Sequence, residues 1–232
     1  MSNYVVLPES KEHPDILVAK HRLALDSKVR RIAKAFGLKL NNTARELGGN
    51  PYIGSIIHSQ AQIINTALLG FTLPFLYFNE FLGVLYEGAN GNTSAYDENG
   101  KRVKRAESES LLKEIVEQTD PWRGEHLDAK FDNGKITYHK FVNGELIEVT
   151  EPLDEDTVME DRRISFGYWL KNPTAQGFVR NDTPKGYIHS RYSRDNSVAW
   201  FSAYSGGVFL GCVRGPQDSY PELGVRVARV RI

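Results

Sequence analysis

The chain has 232 residues, 41% of them hydrophobic and 25% charged, which excludes a disordered chain and leaves room for one large domain. Lys+Arg and Asp+Glu are equal at 29 each, so the formal net charge is zero, without the basic excess of a typical nucleic-acid binder. A lone cysteine, Cys212, excludes any disulfide framework within the chain.

The opening stretch, MSNYVVLPESKEHPD, lacks the charged-then-apolar pattern of a signal peptide. Residues 15 to 36 carry Ile16, Leu17, Leu23, Val29, Ile32, Ala33 and Phe36 at roughly helical spacing, with Gly37 as a stop. Gly48-Gly49-Asn50-Pro51 breaks the pattern. Residues 52 to 69, with Ile53, Ile56, Ile57, Ile63, Ile64, Leu68 and Leu69, predict a second, more buried helical region. Ala67 to Tyr86 is the most apolar stretch, but Pro74, Asn79 and Glu80 interrupt it, so a buried helix or packed loop is expected and no membrane insertion. Residues 88 to 105 predict a polar loop or exposed hairpin. Its basic run, Lys101 to Arg105, is neutralised by Asp97, Glu98 and Glu107 and predicts no nucleic-acid site.

Glu107 to Gln118 is the clearest helix, with a stripe of Leu111, Leu112, Ile115 and Val116. Asn133-Gly134 and Asn143-Gly144 then divide short β-type runs into a small meander. Residues 160 to 232 mix loops with three or four short strands. Helices crowd the first half (1–120) and strands the last part (160–232), so the expected fold class is α+β, in a single domain over 1–232.

Chemistry-bearing motifs are absent. There is no glycine-rich phosphate loop, no His-Glu-x-x-His and no paired-cysteine spacing, so neither a cofactor nor a metal is expected. The six histidines are scattered. His126, beside Glu125 and Asp128, is the one candidate base, and a structural histidine is the favoured reading; no enzymatic activity is expected. Cys212 alternates with Leu210 and reads as a buried apolar residue.

The C-terminal stretch is the informative one. Ser205-Gly206-Gly207-Val208 reads as a tight hairpin, Gly-Gly supplying positive φ angles. Alternation sets an inner group of Val198, Ala199, Phe201, Ala203, Leu210, Cys212, Leu223, Val225 and Val227. The outer group is Trp200, Ser202, Tyr204, Phe209, Gly211, Val213, Asp218, Tyr220 and Glu222. It mixes aromatic, small, aliphatic and acidic residues, as binding faces do. A second core layer covered by the chain itself is the even alternative. Leu223 to Arg229 is expected to return as one central strand.

The pattern W-F-x-A-x-S-G-G, L-G-C-x-R, L-G-V-R-V-A-R resembles the C-terminal end of C-type-lectin-fold proteins of the formylglycine-generating-enzyme type, over residues 160 to 232. More specifically it is similar to the variable proteins of diversity-generating retroelements in phages, bacteria, and archaeal viruses and cells. The resemblance implies a C-type lectin fold in which Leu223 to Arg229 corresponds to the closing strand. It implies a variable region over about 187–232 that binds an unknown protein or cell-surface ligand, at a virion or cell surface, with a homo-oligomer or virion subunit as the setting. In that family adenine changes diversify AAC codons. Ser202, Tyr204, Phe209, Gly211, Val213, Asp218 and Tyr220 are reachable from AAC, whereas Trp200 and Glu222 are not. On this reading Trp200, Tyr204, Phe209 and Tyr220 are exposed anchors, and Tyr187 and Tyr192 extend the face. Formylglycine-generating chemistry needs reactive cysteines that a lone core Cys212 does not supply. The calcium-dependent sugar motifs of animal lectins are also missing, since Pro216-Gln217-Asp218 has the wrong order. A virion structural or assembly protein with a fixed aromatic interface is the alternative function.

Overall fold

The computed structural model describes residues 2–45, 51–117 and 122–231. In chain order its elements begin with β1 (Tyr4–Leu7), β2 (Ile16–Ala19), α1 (Ser27–Ala35), β3 (Asn41–Arg45), β4 (Pro51–Gly54), α2 (His58–Ala67), α3 (Phe75–Asn90) and α4 (Arg105–Val116). They continue with β5 (Arg123–Asp132), β6 (Lys135–Val142), β7 (Glu145–Pro152), β8 (Arg162–Ile164), α5 (Phe166–Lys171) and β9 (Ile188–Ser190). The chain closes with β10 (Ser197–Tyr204), β11 (Gly207–Arg214), β12 (Leu223–Gly224) and β13 (Ala228–Val230). The fold class is α+β.

The main sheet has the order β7-β6-β5-β10-β11-β9-β8, and β12 adds in parallel to the start of β5. A small sheet, β1-β2-β13, brings the two ends of the chain together. Strands β3 and β4 form a separate pair.

α3 is the axis of the core. Pro74 stands immediately before it, where a missing N–H costs nothing, and Gly91 ends it in the left-handed region at φ 78°. Its Phe75, Phe78, Phe81, Leu82 and Leu85 pack with Phe201, Leu210 and Cys212 of the inner sheet face, and Trp169 of α5 fills the same cluster. That cluster draws on residues from Val5 to Ala228. Asn79, polar in the midst of it, is satisfied by donating to the Trp169 carbonyl. Among the described residues no helix is long and apolar enough to cross a membrane.

Some expectations need correction. Residues 15 to 36 are not one helical region. Ile16, Leu17 and Val18 are buried on both faces of the terminal sheet, and the helix begins only where Asp26 accepts from the Val29 N–H at 2.8 Å. The expected helix over 52 to 69 shortens to α2, because Tyr52 and Ile53 sit in a strand pair and the Gln60 side chain caps the Ile57 N–H. The break at Gly48 to Asn50 and the last residue of the expected helix, Gln118, lie outside the described residues. Leu223 to Arg229 is not one strand. β12 joins the main sheet and β13 the terminal one, so this segment bridges the two. The Asn-Gly turns match their expectation. Asn133 and Asn143 have φ of 50° and 54°, and their glycines 69° and 83°.

A part-buried ion pair joins the N-terminal loop to α3. His13 Nε2 lies 2.6 Å from Glu80, and its Nδ1 lies 2.7 Å from the Pro14 carbonyl. Burial works against the charged imidazole, but Glu80 and the Pro14 carbonyl outweigh it, so its pKa is raised above 6.5. The contribution is therefore full below about pH 6.5 and is lost as pH rises through the folded value. The stability gap between wild type and His13→Gln is expected to be larger at pH 5.5 than at pH 8.5, as read by urea unfolding. An equal gap at both would show that His13 does not titrate with folding.

Candidate ligand-binding face

The outer face of the main sheet is set by strand register. Trp200 pairs with Gly211, Ser202 with Phe209 and Tyr204 with Gly207. Paired residues share a face, so these side chains stand on one side. On β5 the same side carries Gly124 opposite Ser202 and His126 opposite Trp200. The register shifts between Val198 and Trp200, which resets the alternation, and both faces of β10 are covered, so Ser197 to Ala203 are all buried. At the hairpin only Gly207 has positive φ, at 124°.

Two stacks of side chains cover this face. The first crosses the strands. Trp122 tilts against Tyr204 at 5.6 Å, Tyr204 stacks on Phe209 at 4.4 Å and 11°, and Phe209 stacks on His189 of β9 at 4.5 Å and 15°. Such aromatic pairs contribute about 0.5–1.5 kcal/mol each beyond burial. Arg191 lies 5.8 Å from the Phe209 ring. Burial, then Arg163 and Arg191, depress the His189 pKa, which favours a neutral, stackable imidazole. In the second stack the Arg214 guanidinium is sandwiched between Trp200, at 4.4 Å, and Tyr220, at 3.6 Å. Glu222 lies 3.6 Å from Arg214 and fixes its direction.

The expected exposure of this face is corrected by that sandwich. Trp200, Ser202, Phe209, Gly211 and Glu222 are buried. Tyr204, Val213 and Asp218 are half-buried, and Tyr220 is exposed at 41%. The cause is the 215–222 loop. It folds back over the sheet, with Asp218 capping the Gly215 N–H at 3.0 Å and the Ser55 N–H donating to the Tyr220 carbonyl. Trp200, Phe209 and Leu223 thus form a small second core layer. What reaches solvent is its rim: Tyr220, Trp122 at 51%, and parts of Tyr204, His189 and Tyr192, with Tyr187 also exposed.

The layer beneath the rim also holds unspent polar capacity. Among the described residues Trp200 Nε1, Ser202 Oγ, Arg214 Nε and His126 Nδ1 are buried without a hydrogen-bond partner. An orphaned buried donor costs about 1–3 kcal/mol, so these atoms gain from any partner that reaches them.

The histidine-carboxylate trio is dispersed. His126 is buried on the outer side of β5, its Nε2–H donating to the Ile56 carbonyl at 2.8 Å, and burial pushes its pKa down to about 3. Glu125 is on the opposite face, paired with Arg226 and Arg123. Asp128 accepts from Gln62 and from His139. Cys212 is buried in the main core, where burial pushes its thiol pKa up. Among the described residues no three His, Cys, Asp or Glu side chains cluster as a metal site.

The chain matches no family model, no curated protein and no solved structure. Sequence reasoning missed His189, Arg191 and Arg214 as members of it. His189 enters through the parallel pairing of β9 with β11, which no local pattern announces. Arg214 had a signal, since a cation between two aromatic positions invites stacking.

Proposed function

We propose that this chain is a non-enzymatic recognition protein that binds a protein or cell-surface ligand through the outer face of β10, β11 and the 215–222 loop. On this proposal the fold is of the C-type lectin kind, in its formylglycine-generating-enzyme-like form, and the chain is a retroelement variable protein displayed on a virion or cell. The observation that carries the recognition reading is the row Trp122-Tyr204-Phe209-His189, rigid in its middle and open to solvent at the Trp122 end. Rigid aromatic rims present contact area at low entropic cost. The return of the chain's end, β13, to the strands of its beginning supports the reading of Leu223 to Arg229 as a closing segment.

One observation favours the fixed-interface alternative. A Cβ built on Gly211 would stand 2.2 Å from the Trp200 indole, so this position is shaped to its neighbour. The two readings separate by sequencing the gene's 3′ end across its source population together with the flanking DNA. Substitutions confined to codons such as 204, 213, 218 and 220, over the adenines of a nearby near-copy, would support diversification. Uniform codons and no near-copy would remove it. In parallel, Tyr220→Ala is expected to change unfolding free energy by under about 1 kcal/mol while weakening ligand or partner capture, because its ring is exposed. Loss of folding instead would place Tyr220 in the framework.

A further inference from the structure

The β8 end of the same sheet carries a charge imbalance that the aromatic stack does not explain. Arg163 of β8 is opposite His189 in register, and His189 is opposite Phe209. The three therefore lie in one row on the outer face, with strands about 4.8 Å apart. Beside Arg163, a cleft at the sheet edge is lined by Arg162, Arg163, Thr183 and Lys185.

Two of the four cations at this edge are already matched. Arg162 lies 3.5 Å from Glu160 and donates to the Thr183 carbonyl, and Arg191 pairs with Asp161. Arg163 and Lys185 are exposed and make no ion pair among the described residues. Two unneutralised cations stand together on a chain whose total charge is zero. His189 lies beside this patch; burial first, and then the charges of Arg163 and Arg191, lower its pKa.

We propose that the Arg163–Lys185 edge docks an acidic polypeptide segment of the partner, whose carboxylates neutralise these two cations while the rest of the segment lies toward the aromatic rim. This rests on the recognition reading of the face but is carried by different residues. The charge count selects the occupant. A nucleic-acid strand presents a phosphate every few ångströms and rewards a continuous basic groove. Here only two cations are free, and Glu160, Asp161 and Asp182 stand nearby. A few carboxylates match that patch, and a phosphate backbone does not. The Arg guanidinium also suits a planar carboxylate through paired N–H donors.

The test uses the full chain and fluorescence anisotropy with three labelled probes: a short Glu-rich peptide containing one Tyr, its Lys-for-Glu counterpart, and an oligo-dT of similar length. The acidic peptide is expected to bind at low salt, to weaken toward about 0.5 M NaCl, and to bind the Arg163→Glu/Lys185→Glu variant about tenfold more weakly. The basic peptide should gain affinity for that variant. Both positions are exposed, so the unfolding curve of the variant should match wild type, which separates lost docking from lost folding. Three outcomes overturn the proposal: no binding of the acidic peptide to wild type, equal binding to the variant, or tighter binding of oligo-dT than of the peptide. If the peptide fails while Tyr220→Ala still weakens partner capture, the edge proposal falls and the face reading stands. If the peptide binds as expected while the gene's 3′ end is uniform and Tyr220→Ala changes no capture, the face reading falls and the edge is a docking site of its own.

Discussion

Replacing Glu125 by alanine is expected to lower the unfolding free energy by about 3–5 kcal/mol, the cost of leaving buried charges uncompensated. Glu125 is 1% exposed. It accepts from Arg226 Nε at 2.9 Å and from Arg123 at 3.0 Å. Arg226 also donates to the Ala19 and Lys20 carbonyls, and Arg22 donates to the Gly124 and Glu222 carbonyls while lying 3.2 Å from the Tyr52 ring. Glu114 lies 3.9 Å from Arg123. Removing Glu125 leaves Arg226 and Arg123 facing one another with their nearest anion gone. In a chain of this size the loss would lower the melting temperature by roughly 6–20 °C in calorimetry. If Glu125→Ala fails to fold, Glu125→Gln keeps the shape and tests the charge alone. A change under about 0.5 kcal/mol in that variant would refute the assignment.

The same site fixes a pH dependence. Burial alone would raise the Glu125 carboxyl, but Arg226 and Arg123 outweigh it and hold its pKa below 4.5. A depressed carboxylate contributes stability above its unfolded value, and that stability is lost as pH falls through the folded one. Wild type is therefore expected to lose stability more steeply than Glu125→Gln below about pH 4. The network has a functional position as well. It holds the back of β5 while Gly124 and His126 face the outer side, and through Arg226 and Arg22 it ties β12 and the 222–226 segment to the end of β2. The rim that carries Tyr220 is hung from that clamp.

How far the sequence led depends on whether a signal was local. The Asn-Gly hairpins, α4 and the inner group from Ala199 to Cys212 were legible, because turn chemistry and alternation act over a few residues. The split of residues 15 to 36 was not. Ile16 to Val18 fit a buried strand as well as a helix, and pairing with β1 and with β13, some 210 residues away, decides between them. The start of β5 is not legible in the sequence, since Arg123, Glu125, His126 and Asp128 are the polar residue types of a solvated segment. Their burial follows from pairing with Arg226, Ile56 and Gln62, none of which is near in sequence. For the face, alternation identified which residues point outward, and nothing local revealed that the 215–222 loop would close over half of them. An outward side chain and an exposed one are different things when a loop returns across the sheet and stacks its Tyr220 on the Arg214 cation of β11.

Gly211→Asn carries the sharpest consequence for function. The ideal Cβ at Gly211 would lie 2.2, 2.3 and 2.6 Å from Trp200 Cε2, Cζ2 and Nε1. No Cβ sits so close to a ring, so the indole has to swing, and with it the Arg214 guanidinium and the Tyr220 ring that rest on it. Overpacking of this kind costs about 1–3 kcal/mol. The cost should be coupled to Trp200: in Trp200→Ala, adding Gly211→Asn should cost less than it does in wild type, by about 0.5 kcal/mol or more in urea unfolding. Asn or Ser at Tyr220 should by contrast cost little, because that ring is exposed at the rim. That outcome would divide the nine outward residues by physics: the buried Trp200, Ser202, Phe209, Gly211 and Glu222 as a fitted framework, and the less buried Tyr204, Val213, Asp218 and Tyr220 as the set left to vary. If Gly211→Asn is tolerated within about 0.5 kcal/mol, the indole is mobile, the second core layer is soft, and the whole outward set becomes available for diversification.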